Sequence, residues 1–117
     1  MEAEKLAYKI ANLGLEKKGK QIVIEDLREL GGVTDFFVII TGDSEPQLKA
    51  ISEHILRTLR DDQIHIYHKE GFQSMSWILL DYIDVVVHIF RGETREYYGL
   101  ERLWGDAKIS FVVDEGA

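Results

Sequence analysis

Apolar residues recur along this chain with two different periods, and each change of period predicts a change between helix and strand. Apolar residues recur at helical spacing from Ala3 to Leu13. The glycines and lysines that come next are typical of a helix C-terminus. The stretch from Gln21 to Leu27 is β-branched and alternating, which predicts a strand. The chain therefore opens with a helix followed by a strand.

The next pair of elements is predicted from an unbroken apolar run and a capping signal. Phe36 to Ile40 is apolar on both faces, as expected for an interior strand that is covered on both sides. Ser44 is a natural N-cap, Pro46 lies where a missing N–H costs little, and Gln47 can close a capping box. An apolar stripe that continues to Leu59 then predicts a second helix.

The second half of the chain predicts three strands and a last helix. The strands are Ile64 to Tyr67, Ser76 to Leu80 and Val85 to Phe90, and the helix begins near Thr94. The apolar stripe of that helix is formed by Tyr97, Leu100, Leu103 and Trp104. The tail, Phe111 to Val113, either adds an edge strand or hangs free. The order predicts an α/β fold with a single mixed sheet flanked by helices.

The two strands around residues 81–84 predict a hairpin whose register can be written down. If Asp81 faces Asp84, Trp77 lies opposite His88 on one face. The other face is the expected core side, and it carries Ile78, Leu80, Val85 and Val87.

Composition and charge limit the classes of partner. The chain has 117 residues and no Cys, which predicts one domain, residues 1–117, without disulfides or thiolate metal sites. Its formal net charge is −7, which disfavours wide contact with rRNA and favours a basic protein partner. Its longest apolar run, Phe36 to Ile40, is far too short to span a bilayer, and the acidic start lacks the features of a signal peptide. We therefore expect a cytoplasmic protein without a membrane partner.

Two motifs could be binding sites, one for a phosphate and one for a metal ion, but each has a simpler structural explanation. The segment from Thr41 to Ser44 precedes a helix N-terminus that could hold a phosphate, but its one Gly and its lack of Lys favour an ordinary turn. Asp81 and Asp84 could be imagined as a metal pair, yet their spacing suits hydrogen bonds within a hairpin turn better. We predict no catalytic residue, no metal site and no cofactor.

Histidine and aromatic residues leave more than one role open. His54 is expected to be a solvated helix residue, and His65 and His68 are expected to point to opposite faces of a strand. His88, beside Trp77, is expected to be a packed or a partner-contacting imidazole rather than a general base. Trp77 and Tyr98 are either core residues or partly exposed anchors of a protein interface.

A set of motifs spread over residues 22–107 resembles the ribosomal silencing factor family, also called the Iojap family. The matching segments are Thr34–Ile39, Thr41–Ser44, Gln47, Glu70-Gly71, Trp77–Asp81, Asp84–Phe90, Arg95, Tyr98, Leu100-Glu101 and Leu103–Ala107. The resemblance implies a fold shaped like the nucleotidyltransferases but without their catalytic site. It also implies binding to the large ribosomal subunit through its fourteenth ribosomal protein, obstruction of small-subunit joining, and lower translation when nutrients are scarce.

The resemblance also implies which residues meet that partner. They are Trp77, His88, Tyr98 and Leu100, with Glu70 and Glu101 as acidic candidates for basic side chains. One position departs from the family pattern, because Ile83 stands where the family usually has Gly in the hairpin turn. Ile tolerates positive φ poorly, so the conformation of this turn is in question.

Two other functions remain as alternatives. The nucleotidyltransferase-like shape and the Gly42–Ser44 motif allow a nucleotide-binding protein or an enzyme of that class. Exposed strands and aromatic residues also allow a homodimeric scaffold with an unrelated partner.

Overall fold

The computed structural model describes residues 1–31, 34–99 and 108–112, without the side chains of Tyr97 and Tyr98. Three α-helices, one short 3₁₀ helix and six strands occur in these ranges. In chain order they are α1 (Ala3–Glu16), β1 (Lys20–Asp26), the 3₁₀ helix (Arg28–Leu30), β2 (Phe36–Gly42), α2 (Glu45–Asp61), β3 (His68–Glu70), β4 (Trp77–Asp81), β5 (Val85–Arg91), α3 (Gly92–Tyr98) and β6 (Lys108–Val112).

The six strands form one mixed sheet in the order β3-β4-β5-β2-β1-β6. Only the central pair, β2 and β5, is parallel among the described strand pairs; the others are antiparallel. The predicted α/β class with a single mixed sheet is confirmed. The tail forms an edge strand, because β6 pairs with β1.

The main core lies between one face of the sheet and the helices α1 and α2. Burial of these alternating apolar side chains supplies the main driving force for folding. The strands contribute Ile22, Ile24, Val38, Ile40, Ile78, Leu80, Val85, Val87 and Ile89, and the helices contribute Leu6, Ile10, Leu48, Ile51, Ile55 and Leu59. The predicted core side of the hairpin is therefore confirmed.

Helix α2 begins after Ser44 as predicted, but the Gln47 side chain accepts from the Asp43 N–H, one residue before the N–H that a capping box uses. The Ser44 hydroxyl accepts a hydrogen bond from the backbone N–H of Gln47, and Pro46 lies in the first turn, where no donor is lost. Within the described ranges, no helix is long and apolar enough to cross a membrane.

Two predicted elements differ from the structure. The strand predicted at Ile64 to Tyr67 is wrong, because the residues that pair with β4 are His68–Glu70. The last helix begins at Gly92 rather than near Thr94, and it ends at Tyr98, where Gly99 adopts a left-handed conformation with φ 54°. The continuation of its predicted stripe, Leu100 to Trp104, lies outside the described residues.

The predicted hairpin register is also wrong. Each residue of β4 pairs with a residue of β5 that lies two positions beyond the predicted one. Trp77 lies opposite Phe90, and His88 lies opposite Leu79. The physical reason is Tyr82, which is 8% exposed and packs in the main core. Its N–H donates to the Val85 carbonyl, so the loop that closes the hairpin starts one residue later than predicted.

Candidate functional site

The sheet face opposite α1 and α2 carries a group of ring side chains that we call the aromatic face: Phe37, Trp77, His88 and Phe90. Since the error in register is an even number of residues, Trp77 and His88 still lie on one face. They are diagonal neighbours, which lie about 7–8 Å apart on antiparallel strands and remain within reach of aromatic side chains. The sequence prediction that grouped them is confirmed, although the pairing behind it is wrong.

The rings of the aromatic face make close, angled contacts. Phe37 meets His88 edge to face, with centroids 4.6 Å apart, and Trp77 lies 4.9 Å from Phe90. Trp77 and His88 are 5.8 Å apart, centroid to centroid. Distances and tilts of this kind are favourable for aromatic pairs.

A hydrogen bond also joins Trp77 to His88. The indole Nε1–H donates to His88 Nδ1 at 3.1 Å. An indole nitrogen can only donate, so Nδ1 must be unprotonated and the ring proton of the neutral imidazole is on Nε2. His88 is 4% exposed, and this burial lowers its pKa from 6.5 to about 4. The imidazole is therefore neutral at physiological pH.

The sequence left His88 as either a packed or a partner-contacting imidazole, and in the free protein it is packed. The structure packs its ring among Phe37, Trp77 and Phe90 and does not present it at the surface. Trp77, in contrast, is partly exposed, as an interface anchor needs to be.

Glu70 lies next to this group at the edge of the sheet. It pairs with Leu79, which in turn pairs with His88, so these three residues form one row across β3, β4 and β5. The Glu70 side chain is exposed, and Oε1 lies 2.7 Å from His68 Nε2. The structure thus brings Glu70, Trp77 and His88 together on one side of the sheet.

The other predicted partner residues lie partly or wholly outside the described residues. Tyr98 is the last residue of α3, but its side chain is not described, and Leu100 and Glu101 fall in a range that is not described. Their membership of the surface stays a prediction.

The turn weighed as a phosphate site is occupied by its own hydrogen bonds. The Asp43 N–H donates to Gln47 Oε1 at 2.6 Å, and the Asp43 carboxylate pairs with Lys20 at 2.7 Å. Gln47 Nε2 donates to the carbonyls of Lys17 and Lys18, at 3.2 Å and 2.9 Å. The segment behaves as a βα turn that fastens α1 to α2, as the sequence favoured.

The remaining candidates also have local partners. Asp81 Oδ1 accepts the N–H of Ile83 at 2.7 Å, which is the turn hydrogen bond expected of it. His54 lies 2.8 Å from Glu16, so the prediction of a merely solvated residue is wrong. No group of three or more acidic or histidine side chains suited to a metal ion occurs in the ranges that the structure describes.

Sequence reasoning missed Phe90, which packs on Trp77, and Phe37, which packs on His88. Phe90 stands two residues after His88 in β5, so strand alternation already places both on one face. Arg95 was quoted only as part of the family match, and its structural role was not predicted. It is almost completely buried and donates from Nη1 to the Gln21 carbonyl at 2.5 Å and to the Thr41 hydroxyl at 2.7 Å. Arg95 thereby ties α3 to β1 and β2.

Comparison with known proteins agrees with this architecture. A family model described as "Ribosomal silencing factor during starvation" matches residues 1–116. The ribosomal silencing factor of Halalkalibacterium halodurans is 37% identical over 107 residues, covering 92% of each chain. A crystal structure of a Chromobacterium violaceum protein superimposes with a TM-score of 0.86 at 34% identity, covering 99% of this chain and 97% of the other.

A more distant relative has a name that mentions ribosome assembly. The mouse protein named "Mitochondrial assembly of ribosomal large subunit protein 1" is 34% identical over 77 residues, which cover 61% of this chain and 32% of that protein. The family model and the bacterial relatives extend over nearly the whole chain. On this evidence, the chain belongs to the ribosomal silencing factor family.

Proposed function

We propose that this protein binds the large ribosomal subunit through its fourteenth ribosomal protein and prevents the small subunit from joining. Translation then falls when nutrients are limiting. The family description, silencing during starvation, supports the regulatory outcome, and the name of the mouse relative supports the large subunit as the partner. The action needs no chemistry, since a rigid folded obstacle on one subunit denies the other its contact surface.

The observation that carries the proposal is the way Trp77 is held. Its indole is partly exposed, while Phe90 and His88 pack against it and the Nε1–H is hydrogen-bonded. Tryptophan is enriched among the residues that dominate binding energy at protein interfaces. An anchor that is already immobilised loses little entropy on binding, which raises affinity without new contacts.

Charge supports a protein rather than an rRNA contact. The chain carries a formal net charge of −7, and the exposed carboxylate of Glu70 lies on the same side of the sheet as Trp77. Negative charge beside Trp77 attracts a basic ribosomal protein and speeds the encounter, whereas it repels the phosphate backbone.

The direct test is sucrose-gradient cosedimentation with separated ribosomal subunits. We expect the protein to comigrate with the large subunit alone and to reduce the fraction of joined ribosomes when both subunits are mixed in its presence. A protein that stays at the top of the gradient with both subunits would contradict the proposed function.

Variants test the assigned surface. From the usual loss when an interface anchor is removed, Trp77→Glu should lower affinity for large subunits by about 30-fold or more. Glu70→Lys reverses an exposed charge without touching the core and should lower affinity by about 3- to 10-fold, mainly by slowing association. Tyr98→Glu extends the series to a residue assigned by resemblance.

Tyr8→Glu is the matched control, because Tyr8 is also an exposed aromatic residue but lies on α1, on the other side of the sheet. It should bind like the wild type. If Trp77→Glu and Glu70→Lys both remain folded and comigrate as the wild type does, the assigned surface is wrong.

A further inference from the structure

The rings of Phe90 and His88 pack against Trp77, and the hydrogen bond from its Nε1–H adds a directional contact. The packing against Phe90 is apolar and depends on the area covered rather than on which edge of the indole points outward. The χ2 rotation of Trp has broad, nearly two-fold wells, so packing alone leaves a flipped indole accessible. A hydrogen bond from Nε1–H to His88 Nδ1 exists in only one of the two orientations.

The acceptor itself is held in place. Phe37 packs edge to face on the imidazole at 4.6 Å, and the Phe90 ring lies nearly parallel to it, with 6.1 Å between centroids. With Nδ1 as the acceptor, the ring proton is on Nε2, and among the described residues no partner for this buried nitrogen occurs. Within the described ranges, the hydrogen bond of the imidazole is therefore the one to Trp77.

The backbone of Trp77 is fixed from the opposite direction. Gly71 packs directly on the Trp77 carbonyl, and the Arg91 N–H donates to the Ser76 carbonyl at 3.1 Å. Since the backbone and Nδ1 are both anchored, the indole plane between them has one orientation that satisfies its N–H. The outward edge of the indole is thereby specified.

We propose that His88 is a positioning residue of this surface: by accepting the indole N–H at Nδ1, it selects the single orientation of Trp77 that meets the partner. The inference rests on the proposed function, because the orientation matters only if Trp77 is the anchor. His88 acts through Trp77 and does not itself touch the partner.

Two substitutions of nearly equal shape separate this role from simple packing. Asn and Leu have the same branched outline, but only His88→Asn places an acceptor, its Oδ1, where Nδ1 was. His88→Leu suits the apolar surroundings better and should give the more stable protein. A purely structural role therefore predicts that His88→Leu binds large subunits at least as well as His88→Asn, whereas the positioning role predicts the reverse order.

The experiment measures three quantities on each purified variant: the midpoint of urea unfolding, the ¹H–¹⁵N signal of the Trp77 indole, and the affinity for large ribosomal subunits. Comparison with Trp77→Phe distinguishes this indole signal from that of Trp104. We expect wild type and His88→Asn to keep a slowly exchanging indole N–H. His88→Leu should lose that protection and bind about 10-fold more weakly, the equivalent of one hydrogen bond.

Each outcome separates the two hypotheses. If the wild type does not bind large subunits, the proposed function fails, and the role of His88 fails with it. If the wild type binds and His88→Leu binds equally well, the proposed function stands and the positioning role is overturned. An indole signal that is unchanged in His88→Leu would likewise overturn it.

Discussion

Ile83 has a backbone conformation that is unfavourable for its β-branched side chain. Its φ is +74°, and the Asp84 N–H donates to the Tyr82 carbonyl across it, which is the hydrogen bond of a strained γ-turn. The turn thus keeps a conformation suited to the Gly that the resemblance leads one to expect, although a β-branched residue occupies it. Strand pairing on both sides and the hydrogen bond to Asp81 impose this conformation.

Ile83→Gly should therefore stabilise the protein. Relief of the left-handed strain should raise the free energy of unfolding by about 1–2 kcal/mol. The greater chain entropy of Gly in the unfolded state should lower it by about 0.4–1 kcal/mol. Because the Ile83 side chain is 58% exposed, little buried surface is lost. We expect a net gain of about 0.5–1 kcal/mol in the free energy of unfolding, measured by urea denaturation.

Ile83→Val is the control for that measurement, since it keeps the branched Cβ and hence the strain. It should stay within about 0.5 kcal/mol of the wild type. Equal stability of Ile83→Gly and Ile83→Val would show that the turn stores no strain.

The loop that joins β3 to β4 depends on a single glycine. Gly71 has φ +92°, and a Cβ there would lie 1.9 Å from the Trp77 carbonyl oxygen. A contact this short with backbone cannot be relieved by rotating a side chain, so the first residue of β4 would have to move. Gly71→Ala should lower the free energy of unfolding by about 2 kcal/mol or more, and Trp77 fluorescence should change with it.

Gly31 is the matched control for this element. It also has a left-handed φ, +68°, but a Cβ there would have no atom of the described residues within 4 Å, its chain neighbours aside. Gly31→Ala should therefore cost only the conformational penalty of about 1 kcal/mol. If the two variants lose the same stability, the close approach to Trp77 contributes nothing.

At the scale of whole elements, the sequence predicts best where periodicity and caps are strong. The helix from Ala3, the α2 start at Ser44 and the interior strand from Phe36 all lie where the pattern places them. The strand His68–Glu70 was misplaced because all three of its residues are exposed, so it has no buried face to produce an alternating pattern. Only pairing with β4 defines it, and pairing is a property of the assembled sheet.

The site was predictable as a face but not as a set of contacts. Strand alternation alone assigns Trp77 and His88 to one side, which is why a register error of two residues leaves the grouping intact. The hydrogen bond between them depends on which residues are diagonal neighbours, and that depends on where the hairpin closes. The burial of Tyr82 decides that point, and no local pattern reveals it.

At the scale of the whole molecule, His88 of the aromatic face makes the free energy of unfolding depend on pH. Burial lowers the pKa of His88 from 6.5 to about 4, so between these pH values the unfolded chain binds a proton that the native protein does not. Stability from this group is therefore fully present above pH 6.5 and is lost progressively as the pH falls towards 4. Asp26, whose pKa is lowered by its hydrogen bond to Arg28, loses its contribution only below its ordinary value of 3.8.

Acidification from pH 7 to pH 5 should consequently cost the wild type about 2 kcal/mol more of unfolding free energy than it costs His88→Leu. The other histidines and the carboxylates are common to both proteins, so their contributions cancel in this difference. Urea denaturation of the two proteins at both pH values measures it. Equal losses would mean that the native protein binds the proton on His88 as readily as the unfolded chain does. At pH 5 the native imidazole would then be mostly protonated, and a protonated ring has no acceptor for the Trp77 indole N–H.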